Sequence, residues 1–227
     1  RPALGSARGR SVSEKLRPWL GLRPRMFKPE TPGVVEPRTG LSMGQSTELT
    51  AKQWSISRRD QDQLALESHQ KAARAYAEGF YKDLVTPWQG VSEDNNIRRD
   101  STLERLGKLK PAFDRGPAGT MTAGNSTPLT DGAAAVLLAS EDWANAHRLP
   151  VKAWLRYGKV AAVDFVGKEG LLLAPAYAVS AMLADADLGL GDFDFYEIHE
   201  AFAAQTLATL KAWESPEFCK DKLGRSQ

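Results

Sequence analysis

From Ser42 onward the apolar positions of the chain recur at helical spacing. "STELTAKQW" reads as a short helix and "SISRRDQDQLALESHQKAARAYAEGF" as a long one, with Leu64, Ala65, Ser68, Ala72, Ala75 and Tyr76 on the stripe. Ser57 followed by Asp60 predicts a capping-box start, and Gly79 a C-terminal stop. Residues 81–100 turn polar and rich in Pro and Asn, which predicts a surface excursion. "STLERLGKLKPAF" reads as a short helix ended by Pro111. The period then shortens. "GTMTAGNSTPLTDGAAAVLLAS" predicts a strand to Ala123, a tight polar loop, a turn at Asp131-Gly132 and a buried strand of small apolar residues through Ala139. A helix over 141–147 follows, then a long strand in "VKAWLRYGKVAAVD", a helix in "APAYAVSAMLADA", a strand in "FDFYEI" and a helix in "HEAFAAQTLATLKAW". Strands alternating with helices predict an α/β layered architecture. Residues 1–40 hold many Pro, Gly and Arg and little periodicity beyond one short helix around 13–20, so low order or an extended excursion is expected.

Composition narrows the class. The chain has 227 residues, 42% hydrophobic and 26% charged, enough for one large domain or two small ones with a real core. No apolar run approaches the roughly 20 residues of a membrane-spanning helix. One cysteine allows no internal disulfide and fits a reducing compartment. The chain begins at Arg1 with no apolar signal-peptide core, and it reads as a piece of a longer protein. Charge is uneven: residues 1–28 carry eight basic side chains against Glu14 alone, while the whole chain nets only +2. The basic, Pro-punctuated "KLRPWLGLRPRMFKP" suits either a solvated loop or contact with an anionic membrane, a phosphate-rich surface or an acidic partner. Nucleic acid is not expected, because no recognised nucleic-acid motif accompanies it.

Candidate chemistry is sparse. The loop Gly124-Asn125-Ser126-Thr127 is either a plain turn or a hydrogen-bonding cradle for a polar ligand, since glycine permits close approach and the hydroxyls and amides offer partners. His199 sits where a strand delivers the chain into a helix, as a structural cap or as a donor. The positive helix end there disfavours an imidazolium, and a neutral imidazole can donate one hydrogen bond to a developing oxyanion, directly or through water. His69 and His147 lie in helical patterns and receive no role. Cys219 has no His or Cys at metal spacing and no positioned base, so neither a metal site nor a catalytic thiolate is expected. Walker and GxGxxG motifs are absent from the sequence.

Four stretches go further when taken together: "SISRRDQDQLALESHQKA", "LGKLKPAF", "GTMTAGNSTPLTDGAAAVLLAS" and "EIHEAFAAQTLA". In order and spacing they resemble the thiolase family over about residues 41–213. Most thiolases are expected to have asparagine in place of His199. The "HEAF" variant and the basic stretch before Leu41 resemble the thiolase subunit of the fatty-acid-oxidising trifunctional complex and its bacterial relatives. The resemblance implies an α/β thiolase fold, layered αβαβα, present in part. Its expected divisions are a basic insertion (1–40), a helical loop domain (41–115), the end of the N-terminal half (116–149) and the start of the C-terminal half (150–227). It implies an acetyl-CoA C-acyltransferase cleaving 3-ketoacyl-CoA in fatty acid β-oxidation, or running the reverse condensation, with a non-catalytic acyl-CoA- or partner-binding protein as the alternative. His199 would hold an oxyanion-hole position. Phe202 would lie beside it against the pantetheine, and Leu109, Phe113, Ala123, Ser126, Thr127 and Leu129 would line the coenzyme A tunnel. Met43 would stand near the acyl group, although Ser42 occupies a position where many relatives have histidine. Thr127 and Pro128 replace a common Ser-Gly. The family's nucleophilic cysteine, its Gly-His-Pro histidine and its second cysteine have no counterpart in these 227 residues. No permanent cofactor and no metal are implied; coenzyme A enters as substrate. Expected partners are a second copy or a dimer of dimers, a hydratase/dehydrogenase subunit, and a peripheral membrane through residues 1–28. The resemblance implies a cytoplasmic location in a bacterium and a mitochondrial one in a eukaryote.

Overall fold

A computed structural model of the chain describes residues 11–16, 23, 27 and 33–225. Contacts divide the chain into a unit of residues 1–34 and a unit of residues 35–227. In the first, helix α1 (Val12–Leu16) is five residues long and wholly exposed. The rest of the helix expected around 13–20 lies outside the described residues, as does most of the basic segment.

The second unit is built on α2 (Met43–Gln53), α3 (Arg58–Ala77), α4 (Leu103–Gly107), α5 (Glu141–Ala146), α6 (Ala174–Ala186), α7 (Ala203–Glu214) and α8 (Pro216–Asp221). Local chemistry sets most of their ends. Ser42 and Gln45 form a reciprocal capping box at the start of α2, each side chain accepting from the other's backbone N–H. At α3 only half of the expected box forms. Ser57 Oγ accepts from Asp60 N, and its hydroxyl donates to the Asp60 carboxylate instead of leaving it to the backbone. The same helix closes in a Schellman motif: Gly79 takes φ +78°, its N–H bonds Tyr76 O, and Phe80 N–H reaches Ala75 O.

Helix α7 is the packing centre. Ala204, Ala208 and Ala212 fall on one face at i, i+4 and i+8 and are buried, so α2 and α6 approach closely. Met121, fully buried, joins Ala51, Ile56, Phe202 and Ala204 in one apolar cluster. Trp54 touches this cluster and the one formed by Leu173, Ala176, Ala208 and Ala212. Gly119 passes so close to Asp114 that a Cβ would stand 1.9 Å from its carbonyl oxygen, which explains a glycine there.

The strands expected before Ala123, at 133–139, 151–164 and 193–198 do not form ladders. Among the described residues the pairings outside helices are isolated bridges, Pro111–Thr122 and Ser126–Phe202 among them. The stretch 133–139 that reads as a buried strand is exposed instead, Val136 at 85% and Leu137 at 73%, and Val160 is 93% exposed. An apolar strand gains its stability from neighbours on its edges and faces, and no other described segment supplies them. No described helix is long and apolar enough to cross a membrane.

Candidate functional site

Four elements converge on a cavity of about 730 Å³. Helix α3 contributes Ser68 and His69, α4 and its exit contribute Leu106 and Leu109, the loop contributes 123–128, and the approach to α7 contributes His199 and Glu200. Arg98 and Arg105 also line it, with Asp94 and Glu200 as their acidic counterparts, and the Arg105 guanidinium is paired with Asp100.

Backbone pairing brings the loop to His199. Thr127 N–H donates to Ala201 O at 2.9 Å and Ala203 N–H to Asn125 O at 3.0 Å, on either side of the Ser126–Phe202 bridge. This pairing holds Phe202 extended and Ala201 out of the helix, so α7 begins at Ala203 rather than at His199. His199 therefore stands four residues before the first helical residue, and the helix-end charge expected to act on it is displaced. The ring is exposed, and it also lines a second, more apolar cavity of about 540 Å³ beside α6 and residues 193–198. Next to it, Glu200 accepts from Ser68 Oγ at 2.5 Å, which ties the histidine's segment to α3.

Of the residues singled out from the sequence, His199, Leu109, Ala123, Ser126 and Thr127 share the larger cavity. Phe113 and Phe202 sit in the apolar core with their rings edge to face at 5.7 Å. Met43 opens α2 and is 57% exposed, while Leu129 is 99% exposed; neither lines either cavity. Ser126 Oγ is buried without a hydrogen-bond partner among the described residues. An unpaired buried hydroxyl beside a cavity is costly, and a polar ligand relieves that cost. Cys219 is buried in α8, its thiol directed at Ala212 O and Trp213 O, and it lines neither cavity. No cluster of three or more metal-ligating side chains occurs among the described residues.

His69 is the wall residue that the sequence reading passed over. Its Nδ1 accepts from Arg98 N–H at 3.3 Å, securing the 94–98 segment against α3. Burial holds its pKa below the ordinary histidine value of 6.5; the positive charge of Arg98 adds to this, and Asp94 and Glu200 oppose it. The folded chain thus takes up this proton less readily than the unfolded chain. Stability is expected to fall as pH drops below 6.5, because the unfolded state gains the proton first. A second loss follows at lower pH. There Asp100, Asp114 and Glu169, held low by hydrogen bonds from Arg105, Lys52 and Lys222 respectively, are protonated. Urea midpoints measured across pH should show both steps, and His69→Gln should remove only the first.

Comparison with known proteins agrees with this architecture. The family described as thiolase, N-terminal domain, matches residues 25–142, and thiolase, C-terminal domain, matches residues 149–223. The chain belongs to the thiolase family. A 3-ketoacyl-CoA thiolase of Yersinia pestis (strain Pestoides F) is 48% identical over 233 residues, covering 100% of this chain and 53% of that protein. Among solved structures, human mitochondrial 3-ketoacyl-CoA thiolase in complex with CoA superposes with a TM-score of 0.72 at 30% identity, over 85% of this chain and 51% of that one. A thiolase from Ascaris suum in complex with coenzyme A gives 0.74 at 31% identity, over 82% and 48%. The fold is thus the α/β thiolase fold in part, and the chain spans about half the length of the relatives it matches.

Proposed function

We propose that the larger cavity receives coenzyme A and its thioesters, and that the protein is part of a 3-ketoacyl-CoA thiolase acting in fatty acid β-oxidation. The observation that carries this reading is convergence: Leu109, Ala123, Ser126, Thr127 and His199, dispersed over ninety residues of sequence, line one cavity with an unpaired buried hydroxyl and two arginines. In this reading His199 donates a hydrogen bond, directly or through water, to the thioester oxygen on which charge develops as the C2–C3 bond of the 3-ketoacyl group breaks. Ser126 Oγ hydrogen-bonds the pantetheine, Leu109 and Ala123 give it an apolar wall, and Arg98 is the cation nearest to hand for the phosphates. Met43, Phe113, Leu129 and Phe202 act less directly: Phe113 and Phe202 back the wall from the core. The thiolate that attacks the keto carbon and the acid that protonates the acetyl enolate come from residues other than those of this chain. The same reading takes 41–115 as the loop domain, flanked by the end of one thiolase half (116–149) and the start of the other (150–227). It assigns assembly as a dimer or dimer of dimers, docking to a hydratase/dehydrogenase subunit, membrane contact through residues 1–28, and a cytoplasmic or mitochondrial location.

A second reading, a non-catalytic acyl-CoA binder, draws support from the burial of Cys219 away from the cavity. Calorimetric titration of the chain with CoA tests what the two readings share. Ser126→Ala is expected to weaken binding by roughly five- to tenfold, the worth of one hydrogen bond. Equal affinity for the variant, or no CoA binding by the wild-type chain, would sink the assignment. Retention of cleavage by the full-length protein separates the enzyme from the binder.

A further inference from the structure

Ion pairs on the surface of this chain are mostly open to water, but one acidic side chain is buried at the junction of three cavity walls. Asp62, on α3, has a side chain 4% exposed and accepts two hydrogen bonds with different partners. Arg58 Nε donates to its Oδ2 at 2.7 Å, and Asn125 Nδ2 donates to its Oδ1 at 2.9 Å. Each partner reaches onward. Arg58 also donates to Leu106 O at 2.6 Å and Leu109 O at 3.1 Å, which fixes the exit of α4. Asn125, 2% exposed, accepts from Thr122 N–H at 2.8 Å and so closes the 122–125 turn. The backbone of that turn and of the two residues after it carries the Asn125 O···H–N Ala203 and Thr127 N–H···O Ala201 pairs that set the segment after His199.

We propose that Asp62 is the positioning residue of this site: through Asn125 it fixes the loop that seats His199, and through Arg58 it fixes the Leu109 wall. The importance of the seat rests on the coenzyme A reading above; the positioning itself does not. Asp62 does not itself line the cavity and acts through its neighbours, of which Asn125 does.

The hydrogen-bond inventory makes the proposal specific. Asp62→Asn leaves one carbonyl oxygen, which Arg58 occupies, and turns an amide NH2 toward the NH2 of Asn125. Rotating the Asn125 amide relieves that clash only by setting its NH2 against Thr122 N–H. Asn125→Asp brings two carboxylates together. The double variant Asp62→Asn/Asn125→Asp restores the pairing between the two positions with donor and acceptor exchanged: the new amide accepts from Arg58 and donates to the new carboxylate, which still accepts from Thr122 N–H but loses the longer bond that Asn125 Nδ2 donates to Thr120 O at 3.4 Å.

The test uses the full 227-residue chain and amide hydrogen exchange read by NMR, with CoA titration as a separate arm. Each single variant is expected to lower the protection of the Thr127 and Ala203 amides by about tenfold or more, as losing a buried charge-assisted hydrogen bond does. Protection within α6 should stay at wild-type values, and the His199 ring signals should move. The double variant should protect the two amides better than either single variant does. Unchanged amides in the single variants, an equal loss throughout α6, or a double variant no better protected than the singles would each overturn the proposal. The CoA arm keeps the two ideas apart. If the wild-type chain binds no CoA, the functional reading fails while exchange still decides the positioning role. If it binds, affinity should fall in the single variants and recover in the double.

Discussion

The purified 227-residue chain is expected to bind CoA without cleaving acetoacetyl-CoA. Thiolytic cleavage transfers the acyl group to a thiolate, and the chain's single cysteine is badly placed to supply one. Cys219 is 5% exposed, packed in α8 with its sulfur against two backbone carbonyls, and lies outside the cavity that contains His199. A hydrogen-bond donor at the oxyanion position lowers a barrier only if a nucleophile reaches the carbonyl. Loss of a covalent nucleophile typically costs on the order of 10⁶ in rate, which puts turnover below detection. The measurement is loss of acetoacetyl-CoA with and without free CoA, beside the same assay on Cys219→Ser. CoA-dependent cleavage by the wild-type chain that disappears in Cys219→Ser would reverse the assignment of roles.

Elements encoded by neighbouring residues were legible in the sequence. The span expected for α6 coincides with Ala174–Ala186, and Gly79 ends α3 as its conformational freedom predicts. Elements that depend on distant partners were not. "AAAVLLAS" has the composition of a buried strand, yet Val136, Leu137 and Leu138 are exposed because no described segment pairs with them. The start of α7 shifted for a related reason: bonds from Thr127 and to Asn125, more than seventy residues away, hold 201–202 out of the helix. His69 was within reach, since it lies four residues after Ala65 on the stripe that faces the cavity. Asp62 and Glu48 were not. In "RRDQDQ" and "STELTAK" they look like solvent-facing charges, and only tertiary contacts reveal that each is buried with donors around it. The family resemblance, by contrast, rests on whole motifs and did not need the sheet to form.

Glu48→Ala is expected to cost about 3–5 kcal/mol of stability, since it strips the acceptor from three donors at once, the buried Met121 N–H among them. Glu48 is 2% exposed in the middle of α2, and its carboxylate accepts three bonds from one short stretch: Thr120 N–H and Thr120 Oγ–H at 2.8 Å, and Met121 N–H at 2.9 Å. It is the link between α2 and the segment that carries fully buried Met121 into the core and continues into the 122–127 loop. Alanine would improve helix propensity by a few tenths of a kcal/mol, too little to offset two stranded backbone N–H groups. Glu48→Gln keeps one good acceptor but turns an NH2 toward one of those donors, so an intermediate loss is expected. Glu104→Ala, which removes an exposed partner of Lys108, is the control and should change stability by no more than about 0.5 kcal/mol. Urea denaturation of the three variants ranks them, and amide exchange at Thr120 and Met121 locates the damage. An alanine variant within about 1 kcal/mol of wild type would mean that water reaches these amides in solution. The loop beside His199 would then be held by the Asp62 network and by its backbone pairs with Ala201 and Ala203.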